Sequence, residues 1–112
     1  MVKHYIPEKG DIVWLDFDPQ SGKEQAGKRP GVVLSPKIYN ARTGLAVFCP
    51  ITSKIKNYPF EVLLEKGLKT KGAVLSDHVK NFDWRARNAR FREKLPQKML
   101  NEVLAKLQLL LF

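Results

Sequence analysis

Apolar residues fall in short blocks along most of this chain, and each block is bounded by turn formers. Ile12-Val13-Trp14-Leu15-Asp16-Phe17 is the first: Val13, Leu15 and Phe17 share one face of a strand, and Ile12, Trp14 and Asp16 share the other. Gly10-Asp11 opens it and Asp18-Pro19 closes it in a turn. Gly31-Val32-Val33-Leu34-Ser35 reads as a short buried strand stopped by Pro36. Lys37 to Gly44 is polar and reads as a connection or a single helical turn. Leu45 to Thr52 is almost continuously apolar, as in a central strand, with Pro50 lacking the amide that a ladder needs. Phe60 to Leu64 and Ala73 to Leu75 predict two more strands, separated by a Lys- and Gly-containing connection from Glu65 to Gly72. His78 to Phe82 predicts another, with Val79 toward the core. From Arg85 to Lys94 cations alternate with other residues and no strand is predicted. Beyond Pro96, which suits a helix start, the spacing of Met99, Leu100, Val103, Leu104 and Leu107 predicts a helix with one apolar stripe.

These elements predict a single mainly β domain over residues 1–112. The architecture is a small barrel or a strongly bent antiparallel sheet with short helices, capped by the terminal helix. The tail Leu109-Leu110-Leu111-Phe112 carries more apolar surface than one face of a short helix buries, and is either core or half of a dimer interface. Between the first two strands, Ser21 to Pro30 forms a loop holding two glycines, Glu24, Gln25, Lys28 and Arg29. Loops on a rigid sheet are where chemistry concentrates.

Charge narrows the partner. Twenty Lys and Arg stand against 11 Asp and Glu, a formal net charge of +9 that implies an anionic partner. No apolar run approaches the roughly 18 residues of a membrane span, and the N-terminus lacks an apolar segment with a cleavage site, so a cytoplasmic protein is expected. Cys49, the single cysteine, excludes an internal disulfide and fits a reducing compartment.

Candidate chemistry narrows further. His4 and His78 are the only histidines and have no zinc-ligand spacing. Asp16 and Asp18 read as turn and ion-pairing carboxylates rather than a Mg²⁺ site. Neither a nucleophile elbow nor a phosphate-binding glycine loop is present, so no metal or cofactor is expected. What remains is a cationic surface with interleaved aromatics, Trp14, Tyr39, Tyr58, Trp84 and Phe91 among them, while Phe48 and Phe82 read as core. Arg85, Arg87, Arg90 and Arg92 add planar guanidiniums that grip phosphates or stack on bases. Single-stranded nucleic acid is bound by such a mixture. RNA carries its own nucleophile, the 2′-hydroxyl, so its cleavage needs only orientation, proton movement and charge stabilisation. Glu24 and Arg29 of the loop, with Thr52 from a neighbouring strand, are suitable groups.

The chain resembles the MazF/PemK family of toxin endoribonucleases of bacterial toxin–antitoxin systems. The matching blocks are Gly10 to Pro19, Glu24-Gln25-Ala26-Gly27-Lys28-Arg29-Pro30, Val32 to Pro36, Pro50-Ile51-Thr52-Ser53, Tyr58 to Val62, Asp77 to Lys80 and Trp84-Arg85-Ala86-Arg87. The resemblance implies a compact SH3-like or CcdB-like barrel, a homodimer, and metal-independent cleavage of single-stranded RNA, chiefly messenger RNA, at specific sequences. It implies products with a 2′,3′-cyclic phosphate and a 5′-hydroxyl, and an acidic antitoxin of the MazE kind as partner. Its catalytic arginine falls on Arg29, its threonine on Thr52 and its loop acid on Glu24. Residues placed for RNA binding are Trp14, Gln25, Lys28, Lys54, Lys56, His78, Lys80, Arg85 and Arg87. His78 stands where many relatives carry glutamine, and Lys28 where some carry histidine, which leaves the recognised base sequence open. A non-enzymatic gyrase poison of the CcdB type and a non-catalytic RNA-binding module are the alternatives, since fold alone does not decide function. Only the nuclease requires Arg29 and Thr52 together.

Overall fold

A computed structural model of the chain describes residues 5–16 and 28–112. Within these residues seven strands form: β1 (Asp11–Asp16), β2 (Lys28–Val33), β3 (Leu45–Thr52), β4 (Glu61–Leu63), β5 (Ala73–Leu75), β6 (Lys80–Asp83) and β7 (Arg90–Lys94). Helix α1 (Lys37–Thr43) precedes β3, and α2 (Gln97–Leu111) ends the chain. All pairings are antiparallel, in the order β4-β5-β3-β2-β1-β7, with β6 also on β3. β4 and β7 do not pair, so the sheet stays open and the barrel alternative is not realised. β3 changes partner along its length, taking β6 at Leu45 to Phe48 and β5 at Ile51 and Thr52. Pro50, with no amide to donate, sits just before the second contact begins.

Strand alternation gives the sheet two apolar faces. On one, Ile12, Val32, Cys49, Ile51 and Val74 pack against Met99, Leu100, Val103 and Leu107 of α2. On the other, Val13, Leu15, Val33 and Phe48 enclose the indole of Trp84. Asn40 of α1, a weak helix former, is wholly buried because tertiary hydrogen bonds override its propensity. Its Nδ2 donates to Pro7 O (2.8 Å) and Ser35 O (3.1 Å), its Oδ1 accepts from Ser35 Oγ (2.6 Å), and its carbonyl accepts from Trp84 Nε1 (2.9 Å). One residue thus ties the N-terminal segment, the end of β2 and the second core together.

Several sequence expectations are corrected. β2 begins at Lys28, so Lys28, Arg29 and Pro30 are strand rather than loop, paired with Asp16, Leu15 and Trp14. The Lys37 to Gly44 connection contains a true helix rather than one turn. β6 starts at Lys80, and Val79 is 37% exposed instead of facing the core. Phe82 is only partly buried, whereas Trp84 is core and offers no stacking surface. β7 is a strand where none is predicted: Arg90-Phe91-Arg92-Glu93-Lys94 has little apolar content, yet it pairs with β1 at the edge of the sheet. The tail is not core, with Leu109 78% and Phe112 96% exposed in the single chain.

One irregularity breaks the strand alternation. Along the β1–β7 pair Ile12 faces Glu93 but Val13 faces Phe91, so Arg92 is an extra residue in a bulge. Such a bulge re-aims a side chain that regular alternation would send to the other face.

Candidate active site

β2 and β3 are in register with Val33 opposite Phe48 and Gly31 opposite Pro50. Arg29 lies two residues before Gly31 on β2, and Thr52 two residues after Pro50 on β3. Both residues line one open groove of about 530 Å³. Its walls also include Trp14 of β1, Lys28 of β2, Lys54 beyond β3, the Lys69-Thr70-Lys71 turn and Arg92 of β7. Six cations line it (Lys28, Arg29, Lys54, Lys69, Lys71 and Arg92), and none of the described lining residues is acidic. Such a groove concentrates an anionic ligand.

The Thr52 hydroxyl accepts the Lys54 amide at 3.1 Å, which leaves its own proton to donate to a ligand. Beyond Lys54, the Glu61 carboxylate accepts the amides of Lys56 (3.1 Å) and Asn57 (2.8 Å) and so fixes the Ser53 to Pro59 connection. A smaller cleft of about 160 Å³ shares Thr52 and Lys54 with the groove and continues it to Lys56, Tyr58 and His78. There the Tyr58 hydroxyl donates to Asp77 at 2.6 Å; burial and then that hydrogen bond push its phenol up to about 12. His78 Nε2 lies 3.8 Å from the same Asp77 carboxylate, with its ring half exposed.

On the opposite wall the Lys69–Lys71 turn is fastened to β7. Glu93 accepts the amides of Lys69 (3.1 Å) and Thr70 (2.8 Å) and the Thr70 hydroxyl (2.7 Å). Burial acts to raise the Glu93 pKa, but these donors and the Arg92 charge outweigh it and hold the carboxyl below its ordinary value. Arg92 donates from Nε to Thr70 Oγ1 (2.8 Å) and from Nη2 to Lys69 O (2.9 Å). Its guanidinium carbon stands 4.8 Å from the centre of the Trp14 ring, covering one face of that ring.

Of the residues singled out in the sequence, Arg29, Thr52, Trp14, Lys28 and Lys54 line the groove, and Lys56 and His78 line its continuation. Lys80, Arg85 and Arg87 line neither. Arg85 lies 4.9 Å over the Trp84 ring and Arg87 3.7 Å over the Phe82 ring, with Arg87 Nη1 donating to Asp16 O at 3.1 Å. These two arginines close the second core. Glu24 and Gln25 lie outside the described residues. Sequence reasoning missed Lys69, Thr70 and Lys71, which read as a linker, and left Arg92 undistinguished among the cations. The sole local signal was Lys-Thr-Lys immediately before Gly72. No group of three or more His, Cys, Asp or Glu positioned to hold a metal ion occurs among the described residues.

Comparison with known proteins places this chain in a family. The model of the PemK-like, MazF-like toxin of type II toxin–antitoxin systems matches residues 8–111. The chain belongs to the PemK/MazF toxin family. It is 46% identical over 111 residues to the endoribonuclease toxin MazF of Escherichia coli K12, covering 99% of each chain. It is 35% identical over 108 residues to the Escherichia coli endoribonuclease PemK, covering 93% of this chain and 81% of that one. Among solved structures, MazF of Deinococcus radiodurans (Form-I) superposes with a TM-score of 0.88 at 50% identity, covering 96% of this chain and 98% of that one. A MazE–MazF structure from the same organism gives 0.89 at 48% identity, with 96% and 97% covered. The region matched to the PemK/MazF model contains both Arg29 and Thr52.

Proposed function

We propose that this protein is the toxin of a toxin–antitoxin pair and cuts single-stranded messenger RNA at specific sequences in the Arg29–Thr52 groove, without a metal ion. The observation that carries this reading is that Arg29 from β2 and Thr52 from β3 line one groove walled by cations. The substrate's 2′-hydroxyl attacks the adjacent phosphorus, the bond from phosphorus to the 5′-oxygen breaks, and the products carry a 2′,3′-cyclic phosphate and a 5′-hydroxyl. The Arg29 guanidinium stabilises the negative charge that builds on the phosphorane. Thr52 donates to a non-bridging phosphate oxygen. Glu24 accepts the 2′-hydroxyl proton, and the departing 5′-oxygen takes a proton from solvent water, to which Glu24 returns the one it accepted. The chain works in the cytoplasm beside an acidic MazE-like antitoxin whose carboxylates compete for the cationic groove. Its exposed Leu109 to Phe112 tail supports assembly as a homodimer.

The test is cleavage of a messenger RNA by the pure protein in excess EDTA, with the fragment ends sequenced. Cleavage is expected to persist in EDTA and to stop when the nucleotide 5′ of the cut is 2′-deoxy. Arg29→Ala is expected to lower kcat at least about a hundredfold, the usual loss for a transition-state charge donor. Cutting of the 2′-deoxy substrate would refute internal attack, and wild-type turnover in Arg29→Ala would remove that residue from the reaction.

A further inference from the structure

Regular alternation would point Arg92 and Glu93 to opposite faces of the sheet, yet both reach Thr70. The β-bulge at Arg92 is the cause: it places Arg92 on the side that carries Ile12, Trp14 and Glu93. The guanidinium is then held on three sides. Thr70 Oγ1 takes Nε, Lys69 O takes Nη2, and the central carbon lies over the Trp14 ring. Glu93 fixes Thr70 through both its amide and its hydroxyl, so the acceptor that aligns Arg92 is itself aligned. Five N–H donors sit on a guanidinium, and two of Arg92's are used among the described residues, on the wall of the groove that contains Arg29 and Thr52.

From this geometry we infer that Arg92 is a dedicated phosphate-binding residue for the RNA strand, preset by the bulge, by Thr70 and by Glu93, and separate from the reacting phosphate at Arg29. The inference rests on the nuclease reading of the groove and adds a second phosphate contact to it. An immobilised guanidinium gives more affinity than a free lysine of equal charge, because little side-chain entropy remains to be lost when the phosphate arrives. Thr70 and Glu93 are positioning residues: they touch Arg92 or its acceptor, not the RNA.

The experiment measures binding of a short fluorescein-labelled 2′-O-methyl oligoribonucleotide, which internal attack cannot cleave, over a range of salt. Arg92→Gln is expected to weaken binding about tenfold, the scale of one charge-assisted hydrogen-bond pair, with the fold retained. It is also expected to reduce the log–log salt slope by about 0.7, the value for one phosphate contact on a single strand. Thr70→Val removes the hydroxyl and keeps the amide; it is expected to weaken binding about threefold on its own. In the Arg92→Gln background the same change is expected to cost nothing, because the two act through one contact. An unchanged salt slope in Arg92→Gln, or additive losses in the double variant, would overturn the inference while leaving the groove reading intact. A slope unchanged for RNA with affinity lost for a polyglutamate peptide would assign the guanidinium to an acidic protein segment instead, and would also overturn it. A wild type that binds no RNA would overturn both readings.

Discussion

A methyl group at position 72 would stand 2.1 Å from the Thr52 carbonyl oxygen and 2.9 Å from its carbonyl carbon. Both atoms are backbone, so no side-chain rotation relieves the overlap. Gly72 also has φ +122°, well away from the left-handed well near +57°. Gly67, in the same connection, has φ +101°, but a methyl group there meets nothing within 4 Å. Alanine at 67 therefore carries the conformational penalty alone, about 2 kcal/mol. Alanine at 72 carries that penalty plus an overpacking cost of about 2 kcal/mol, roughly 4 in all. At about 4 °C per kcal/mol for a domain of this size, thermal melting followed by circular dichroism is expected to drop by about 8 °C for Gly67→Ala and about 15 °C for Gly72→Ala. The two also differ in function. Relieving the overlap moves the Thr52 end of β3, which pairs with Ala73, so Gly72→Ala is expected to lose RNA cleavage under conditions where it is still folded. Gly67→Ala is expected to keep it. Equal melting losses, or wild-type turnover in Gly72→Ala, would refute the argument that this close approach sets the position of Thr52.

Glu93 gives a pH dependence. Its folded-state pKa lies below its ordinary value of 4.5, so its contribution to stability is complete above that pH and is lost as pH falls through the folded value. Glu93→Gln is expected to flatten that part of the acid limb in a melting-versus-pH series; an identical acid limb would show that the Lys69–Lys71 turn does not depend on the carboxylate. Asn40→Ala leaves the Pro7 and Ser35 carbonyls without their donor and opens a cavity beside Trp84, for a loss of about 3 kcal/mol in urea titration. A loss within experimental error would make the Asn40 network incidental. Cys49 is wholly buried, and burial, followed by the Asp77 charge, pushes its thiol up to about 12. It is expected to resist alkylation by iodoacetamide at neutral pH until the protein unfolds, as mass spectrometry would show; rapid native labelling would contradict the packing around β3.

Local pattern and tertiary arrangement divide this protein between them. The two faces of β1, the apolar run of β3 and the stripe of α2 are legible in the sequence. Each depends on side-chain periodicity over a few residues and on burial that periodicity predicts. Arg29 and Thr52 are legible as a pair through their flanking blocks, and both line one groove. The rest of the site is not legible, for a definite reason. β7 has the composition of a solvated stretch and is a strand because β1 supplies its hydrogen bonds; Val79 and Trp84 exchange their expected surroundings because the chain turns after β5 and again after β6. The bulge at Arg92 is a property of two strands in register and has no counterpart in either sequence segment alone. Lys69, Thr70 and Lys71 join the groove because Glu93, distant in the chain, accepts the amides of Lys69 and Thr70. Within a segment, sequence alone determines which residues are apolar, charged or β-prone. Only the folded chain decides which distant donors and acceptors meet, and here those meetings build one whole wall of the site.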